Sequence, residues 1–261
     1  MPIRMQPGPD GKTALRMAFR KNWKHYLQEA AGLGLFMIAA CFFGAMLFSE
    51  HSPWQNFLPG IWLRNLWMGL MMGATALFIF YAPFTAQSGA HINPAVTLVF
   101  FRLNRMCRYD ALFFVIAQVL GGTLAVYGMR LLMGKLLTDP PVNSVVTVPG
   151  TGGWLAALGM EWLIAFVTMS MVLFTSSSKR WQSSTRIMAA ILVCTWVMVA
   201  GPVSGFGMNP ARTLASALPS GIWTHYWIYL LAPVTGMLAA AETWRWVQQK
   251  RVAIQSSNDH V

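Results

Sequence analysis

Residues 88–98 are SGAHINPAVTL and residues 204–214 are SGFGMNPARTL. Aligned without gaps, Ser, Gly, Asn, Pro, Ala, Thr and Leu coincide at an offset of 116 residues. Each Asn-Pro-Ala opens a short apolar stretch: Val96, Leu98, Val99, Phe100 and Phe101 after the first, Leu214, Ala215, Ala217 and Leu218 after the second. Pro at the first helical position with Asn just before it is helix-start chemistry, because Pro gives up an N–H that would be orphaned anyway and Asn caps the next ones. A helix over 93–102 would be about 15 Å long, half of a hydrocarbon core of about 30 Å. The duplication therefore predicts two half-helices, entering from opposite sides and meeting tip to tip to complete one crossing.

The surrounding sequence supplies the membrane. The 261 residues are 56% hydrophobic and only 10% charged, against about 25% charged in a typical soluble domain. Six spanning segments are expected, near 27–49, 62–84, 110–133, 154–175, 186–203 and 223–247, the fifth looking short. The first short stretch falls between spans two and three, the second between five and six. The halves also match elsewhere: Ala117-Gln-Val-Leu-Gly121 parallels Ala232-Pro-Val-Thr-Gly236, and Glu29 parallels Glu161. Three spans per half is odd, so the second half must lie inverted relative to the first. The expected fold is an all-α membrane protein of six transmembrane helices and two re-entrant half-helices in an inverted 3+3 repeat. Its parts are a basic tail (1–25), a first repeat (26–133), a connecting loop (134–153), a second repeat (154–247) and a second tail (248–261).

The net charge of +11 first suggests nucleic acid, but its distribution argues for topology. Of the 19 Lys and Arg residues, 15 fall on one expected side, in the N-terminal segment, after the first half-helix, between spans four and five, and in the C-terminal segment. Arg64, Arg130, Lys135 and Arg212 fall on the other. That asymmetry places both termini in the cytoplasm and matches anionic lipid rather than nucleic acid. Cys41, Cys107 and Cys194 form no ligand cluster, and the five His residues are scattered. No metal, cofactor or nucleophile–base pair is indicated, so an enzyme is not expected.

With these residues the chain resembles the aquaporin (major intrinsic protein) family over about residues 26–247. SGAHINPAVT, SGFGMNPAR, Glu29, Glu161 and the segment around Gln118 carry the resemblance. It implies a passive channel for water and small uncharged solutes in a plasma (inner) membrane, working as a homotetramer without cofactors. Asn93, Pro94, Ala95, Asn209, Pro210 and Ala211 would form the two helix starts at the pore centre, where the positive ends of two helix dipoles repel cations. The Asn amides would cap their helices and donate into the lumen. Glu29 and Glu161 would accept from the non-helical backbone ahead of each half-helix, since unpaired N–H groups at membrane depth need acceptors. His91 is either pore-lining or a packing residue. Arg212 follows the second motif where Val96 follows the first; an Arg at membrane depth marks a functional site, and the resemblance puts it in the selectivity filter.

Family spacing places the other filter positions at Phe206, Val197 and Gly73, with a one-residue slip making the last Met72. Water-selective members resemble one another in a His at the Val197 position and a bulky aromatic at the Gly73 position, and this chain has neither. A filter of Gly73, Val197, Phe206 and Arg212 is wider and apolar on one wall, suited to a polyol or another small neutral solute. GFGMNPAR resembles the glycerol-facilitator branch, but Thr213 stands where that branch has Asp. Ala217, Tyr229 and Leu230 resemble the nodulin-type intrinsic proteins of plants, which pass glycerol, urea and undissociated metalloid hydroxides. The alternatives are an inverted-repeat secondary transporter, with Glu29 and Glu161 as an ion relay, and a pore-closed scaffold. Gly69 and Gly73 also form GxxxG, a helix-packing signal.

Overall fold

Residues 11–258 are described by the computed structural model, with side chains for 13–251; the remainder of both expected tails lies outside the described residues. Every element among them is helical. Six are long: α1 (Gly11–Phe48), α2 (Ile61–Tyr81), α4 (Arg108–Met133), α5 (Gly153–Ser176), α6 (Thr185–Ser204) and α8 (Tyr226–Asn258). Two are short: α3 (Pro94–Arg102) and α7 (Pro210–Ser220). Stretches at 13–48, 61–81, 108–133, 153–176 and 182–204 are long and apolar enough to cross a membrane. α8 is long enough but more polar, with Pro233, Thr235 and Glu242 among its apolar residues.

Two boundaries differ from the sequence reading. α1 begins at Gly11 and α8 runs to Asn258, so all of 11–25 and 248–258 is helix where tails were expected. The segments are polar and so lack the apolar run that marks a span, but a helix already formed in the membrane continues at low cost once nucleated. α6, which looked short, has 20 residues and ends on Gly205 in the left-handed region (φ +76°).

Small residues let the helices close on one another, as membrane packing requires. A Cβ on Gly121 of α4 would collide with the Ala30 carbonyl of α1, and one on Gly236 of α8 would stand 2.5 Å from the Trp162 carbonyl of α5. The two contacts are repeat equivalents. Between the halves, Gly69 and Gly73 of α2 seat against α6: their added Cβ atoms would lie 2.7 Å from Cys194 O and 2.7 Å from Cys194 Cβ. The GxxxG pair is therefore a packing face.

α3 and α7 have 9 and 11 residues, so they are about 13 and 16 Å long and together cover about one hydrocarbon core. Both start at the same depth, which the cross-linking of their caps fixes.

Candidate functional site

Asn93 Oδ1 accepts from Ala95 N at 2.8 Å, and Asn209 Oδ1 accepts from Ala211 N at 3.0 Å and Arg212 N at 3.2 Å. Each amide also reaches across to the other half. Asn93 Nδ2 donates to the Met208 carbonyl at 2.8 Å, and Asn209 Nδ2 donates to the Ile92 carbonyl at 2.7 Å. A carboxamide has two N–H donors, so one locks the helix tips together and the second remains for the lumen. Both Asn residues line the same cavity. The sequence reading of cap plus lumen donor lacked this reciprocal clasp.

The backbone ahead of each half-helix is bent the same way twice. Gly89 and Gly205, Ala90 and Phe206, and Ile92 and Met208 all have positive φ, between +42° and +95°. Non-glycine residues hold this region at a cost of about 1–3 kcal/mol each unless the surroundings enforce it. The enforcement comes from two buried carboxylates. Glu29 accepts from Ser88 Oγ (2.6 Å), His91 N (2.9 Å), Ile92 N (2.6 Å) and Gln118 Nε2 (2.8 Å). Glu161 accepts from Ser204 Oγ (2.6 Å), Gly207 N (2.8 Å) and Met208 N (2.5 Å). Each is fully buried and saturated by fixed donors, a poor arrangement for shuttling a proton.

The halves diverge at one pair. His91 packs its ring on Phe100 and Phe114, bonds Thr97 Oγ1 through Nδ1 at 3.2 Å, and lines the cavity. Both readings of His91 hold together. Its counterpart Gly207 leaves the space to Tyr229, the repeat equivalent of Phe114. A Cβ at 207 would stand 2.6 Å from the Tyr229 ring, whose hydroxyl donates to the Ser204 carbonyl at 2.7 Å.

Two cavities run along the half-helix starts. The inner, of about 190 Å³, extends from Asn93 and Asn209 past His91, Phe80 and Phe100 to Thr185 and Arg186. The outer, of about 270 Å³, is walled by Ala40, Met68, Met72, Val145 and Val197. Phe36, Phe206 and Arg212 line both, so these three side chains form the partition between them. Arg212 is buried, and its guanidinium donates to the hydroxyl of Thr147, a buried residue of the loop between α4 and α5. Arg212 has no carboxylate partner among the described residues. Thr147 is the guanidinium's one hydrogen-bond partner among the described residues, and the side chain lines both cavities.

One filter position needs correction. Met72, not Gly73, lines the outer cavity. Gly73 points at α6, and the space beside it is already filled by Cys194. Val197, Phe206 and Arg212 line the same cavity as Met72. The sequence reading missed Phe36, two helical turns beyond Glu29 and so on the same face of α1, and Thr147, which lies 65 residues from Arg212. The Glu29 spacing carried a signal for Phe36; nothing local marked Thr147.

Comparison with known proteins agrees with this geometry. Residues 16–244 match the major intrinsic protein family. The chain is 34% identical over 218 residues to Aquaporin NIP1-1 of Zea mays, covering 82% of this chain and 71% of that one. It is 33% identical over 229 residues to Aquaporin NIP1-2 of Arabidopsis thaliana, covering 85% and 73%. The fold is similar to that of the aquaglyceroporin from Plasmodium falciparum, with a TM-score of 0.71 at 18% identity over 89% of this chain and 99% of that one.

Proposed function

The chain belongs to the major intrinsic protein family, and on that footing we propose that this multi-pass membrane channel for water and small solutes passes polyol-sized neutral molecules such as glycerol, urea or undissociated metalloid hydroxides. It is not an enzyme. The observation that carries the reading is the composition of the partition. Arg212 is its one strong donor, Phe36 and Phe206 are flat apolar walls, and Met72 and Val197 line the outer approach with apolar side chains. A hydroxylated solute places oxygens on Arg212 and carbons against Phe206 and Val197. A cation meets the guanidinium and then two helix N-termini, each carrying about half a positive charge.

Protons are excluded by the same centre. The free N–H of Asn93 and of Asn209 both donate to one passing oxygen, so that oxygen has no lone pair left to continue a donor chain. The water wire is broken where the helix ends are most positive.

The proposal also places both termini in the cytoplasm of an inner or plasma membrane, from the charge asymmetry, and takes the working unit as a homotetramer with its outer helix faces against lipid. Permeation is tested by stopped-flow swelling and shrinking of proteoliposomes with glycerol, urea and arsenous acid. Entry of these solutes well above empty vesicles is expected. Fast water flux with none of the three entering would reject the solute-permeable reading.

A further inference from the structure

α1 has 38 residues and is therefore about 57 Å long, nearly twice the hydrocarbon core. Its first half, before Glu29, does not serve the pore. This half carries its residues in stripes four apart, which share a helix face. Ala14, Ala18, Asn22 and Tyr26 are buried. Leu15, Phe19, Trp23 and Leu27 are exposed and apolar. Arg16, Arg20 and Lys24, in register with Lys12, are exposed and basic. Residues 11–28 contain five basic side chains and no carboxylate.

The buried stripe fixes the helix in place. Asn22 Nδ2 and Tyr26 Oη donate to Asp110 Oδ1 at 2.9 and 2.5 Å, and the Phe19 ring lies 5.4 Å from Phe113. These contacts hold the segment against the start of α4, whose first residue is the exposed Arg108. The basic stripe is thus level with the end of a membrane-crossing helix, with an aromatic and aliphatic stripe beside it. A cationic row flanked by Phe, Trp and Leu at this level suits a bilayer interface, with the rings among the upper acyl carbons and the charges among the headgroups.

We propose that the N-terminal half of α1 is a binding surface for anionic phospholipid headgroups, with Arg16, Arg20 and Lys24 as the phosphate-contacting row and Phe19 and Trp23 as the interfacial anchors. The leaflet that holds this lipid, the cytoplasmic one, rests on the topology proposed above; the binding itself does not. The chemistry is that of a phosphodiester with a net negative charge. The row has charge to offer because no acidic side chain in its segment neutralises it.

The full-length protein in detergent is titrated with dioleoyl phosphatidylglycerol or dioleoyl phosphatidylcholine, and bound lipid is counted by native mass spectrometry. Wild type should prefer the anionic lipid by about tenfold or more, since each basic residue near a surface contributes a separate attraction. R16Q/R20Q/K24Q should lose most of that preference. R16K/R20K should keep it. K179Q/R180Q, charges outside the stripe, should also keep it. Undiminished preference in the triple variant overturns the proposal, as does an equal loss in K179Q/R180Q, which would make net charge rather than this surface the cause. Retained water flux of the triple variant in proteoliposomes confirms that it is folded. Failure of the solute panel leaves this binding result intact, so the two readings fail separately.

Discussion

Arg212 leans on Thr147: its guanidinium donates to the Thr147 hydroxyl, and that oxygen is also 3.4 Å from Thr213 Oγ1. A loop residue outside both helix starts therefore holds the Arg212 guanidinium. Bringing an Arg into membrane depth costs about 3 kcal/mol or more, and a buried acceptor recovers part of that while leaving the other donors without a side-chain or backbone acceptor among the described residues. Thr147→Val keeps the shape and removes the acceptor. We expect Thr147→Val to lower glycerol flux several-fold with a smaller change in water flux, and Thr147→Ser to restore wild-type behaviour. Stopped-flow light scattering on proteoliposomes reads both. Equal glycerol-to-water ratios in all three proteins would show that Thr147 does not position Arg212.

Met72 and Gly73 are neighbours with opposite duties, and substituting each should separate them. An added methyl at 73 meets Cys194 Cβ at 2.7 Å, inside a helix contact with little slack, where overpacking costs about 1–3 kcal/mol. Gly73→Ala should lower the thermal midpoint in detergent. Met72→Trp fills the outer cavity instead. It should cut glycerol and urea flux while water continues to pass. A variant pair with the reverse pattern, in which Gly73→Ala blocks solute and Met72→Trp does not, would return the filter position to Gly73.

What the sequence made legible follows from where the information is local. The helix starts at Asn93 and Asn209 could be read because capping involves residues two or three positions away, and the duplication doubled the signal. Glu29 and Glu161 could be placed because exposed backbone at membrane depth demands an acceptor. The α2 position was placed at Gly73, with Met72 as the one-residue slip, because counting back from Asn93 assumes an unbroken register. The chain instead ends α2 at Tyr81 and makes a separate turn of helix over Pro83–Ala86, so a one-residue slip turns the face by about 100°. Thr147 was invisible because its partner is distant in sequence. The helical first half of α1 was read as a tail because polar residues hide helix continuation, although their four-residue spacing was there to see.

Glu161 tests scaffold against relay. Three fixed donors converge on its two oxygens. Glu161→Gln replaces one acceptor oxygen with an NH2 that faces a backbone N–H, leaving a buried donor unsatisfied at about 1–3 kcal/mol. Glu161→Ala orphans all three. The thermal midpoint should fall in the order wild type, Gln, Ala. Flux through wild type should not change when a proton gradient is imposed across the vesicle membrane. A gradient-dependent flux that disappears in Glu161→Gln, with stability unchanged, would instead make Glu161 part of a coupled transporter.

Val197 stands on the wall of the outer cavity, on α6. It lines the same cavity as Met72, Phe206 and Arg212, and its side chain can neither donate nor accept. Val197→His adds both volume and a polar edge. The volume narrows the approach that a polyol carbon chain must share with Phe206. The imidazole adds a second donor or acceptor beside Arg212, which suits water, a small molecule that hydrogen-bonds on all sides, better than a solute with an apolar flank. Glycerol flux should therefore fall by more than water flux, moving the ratio several-fold toward water. The companion Val197→Thr adds polarity at nearly constant volume. A smaller shift in Thr than in His assigns the effect mainly to width, and an equal shift assigns it to polarity. Glycerol flux unchanged in Val197→His would remove α6 from the selectivity step.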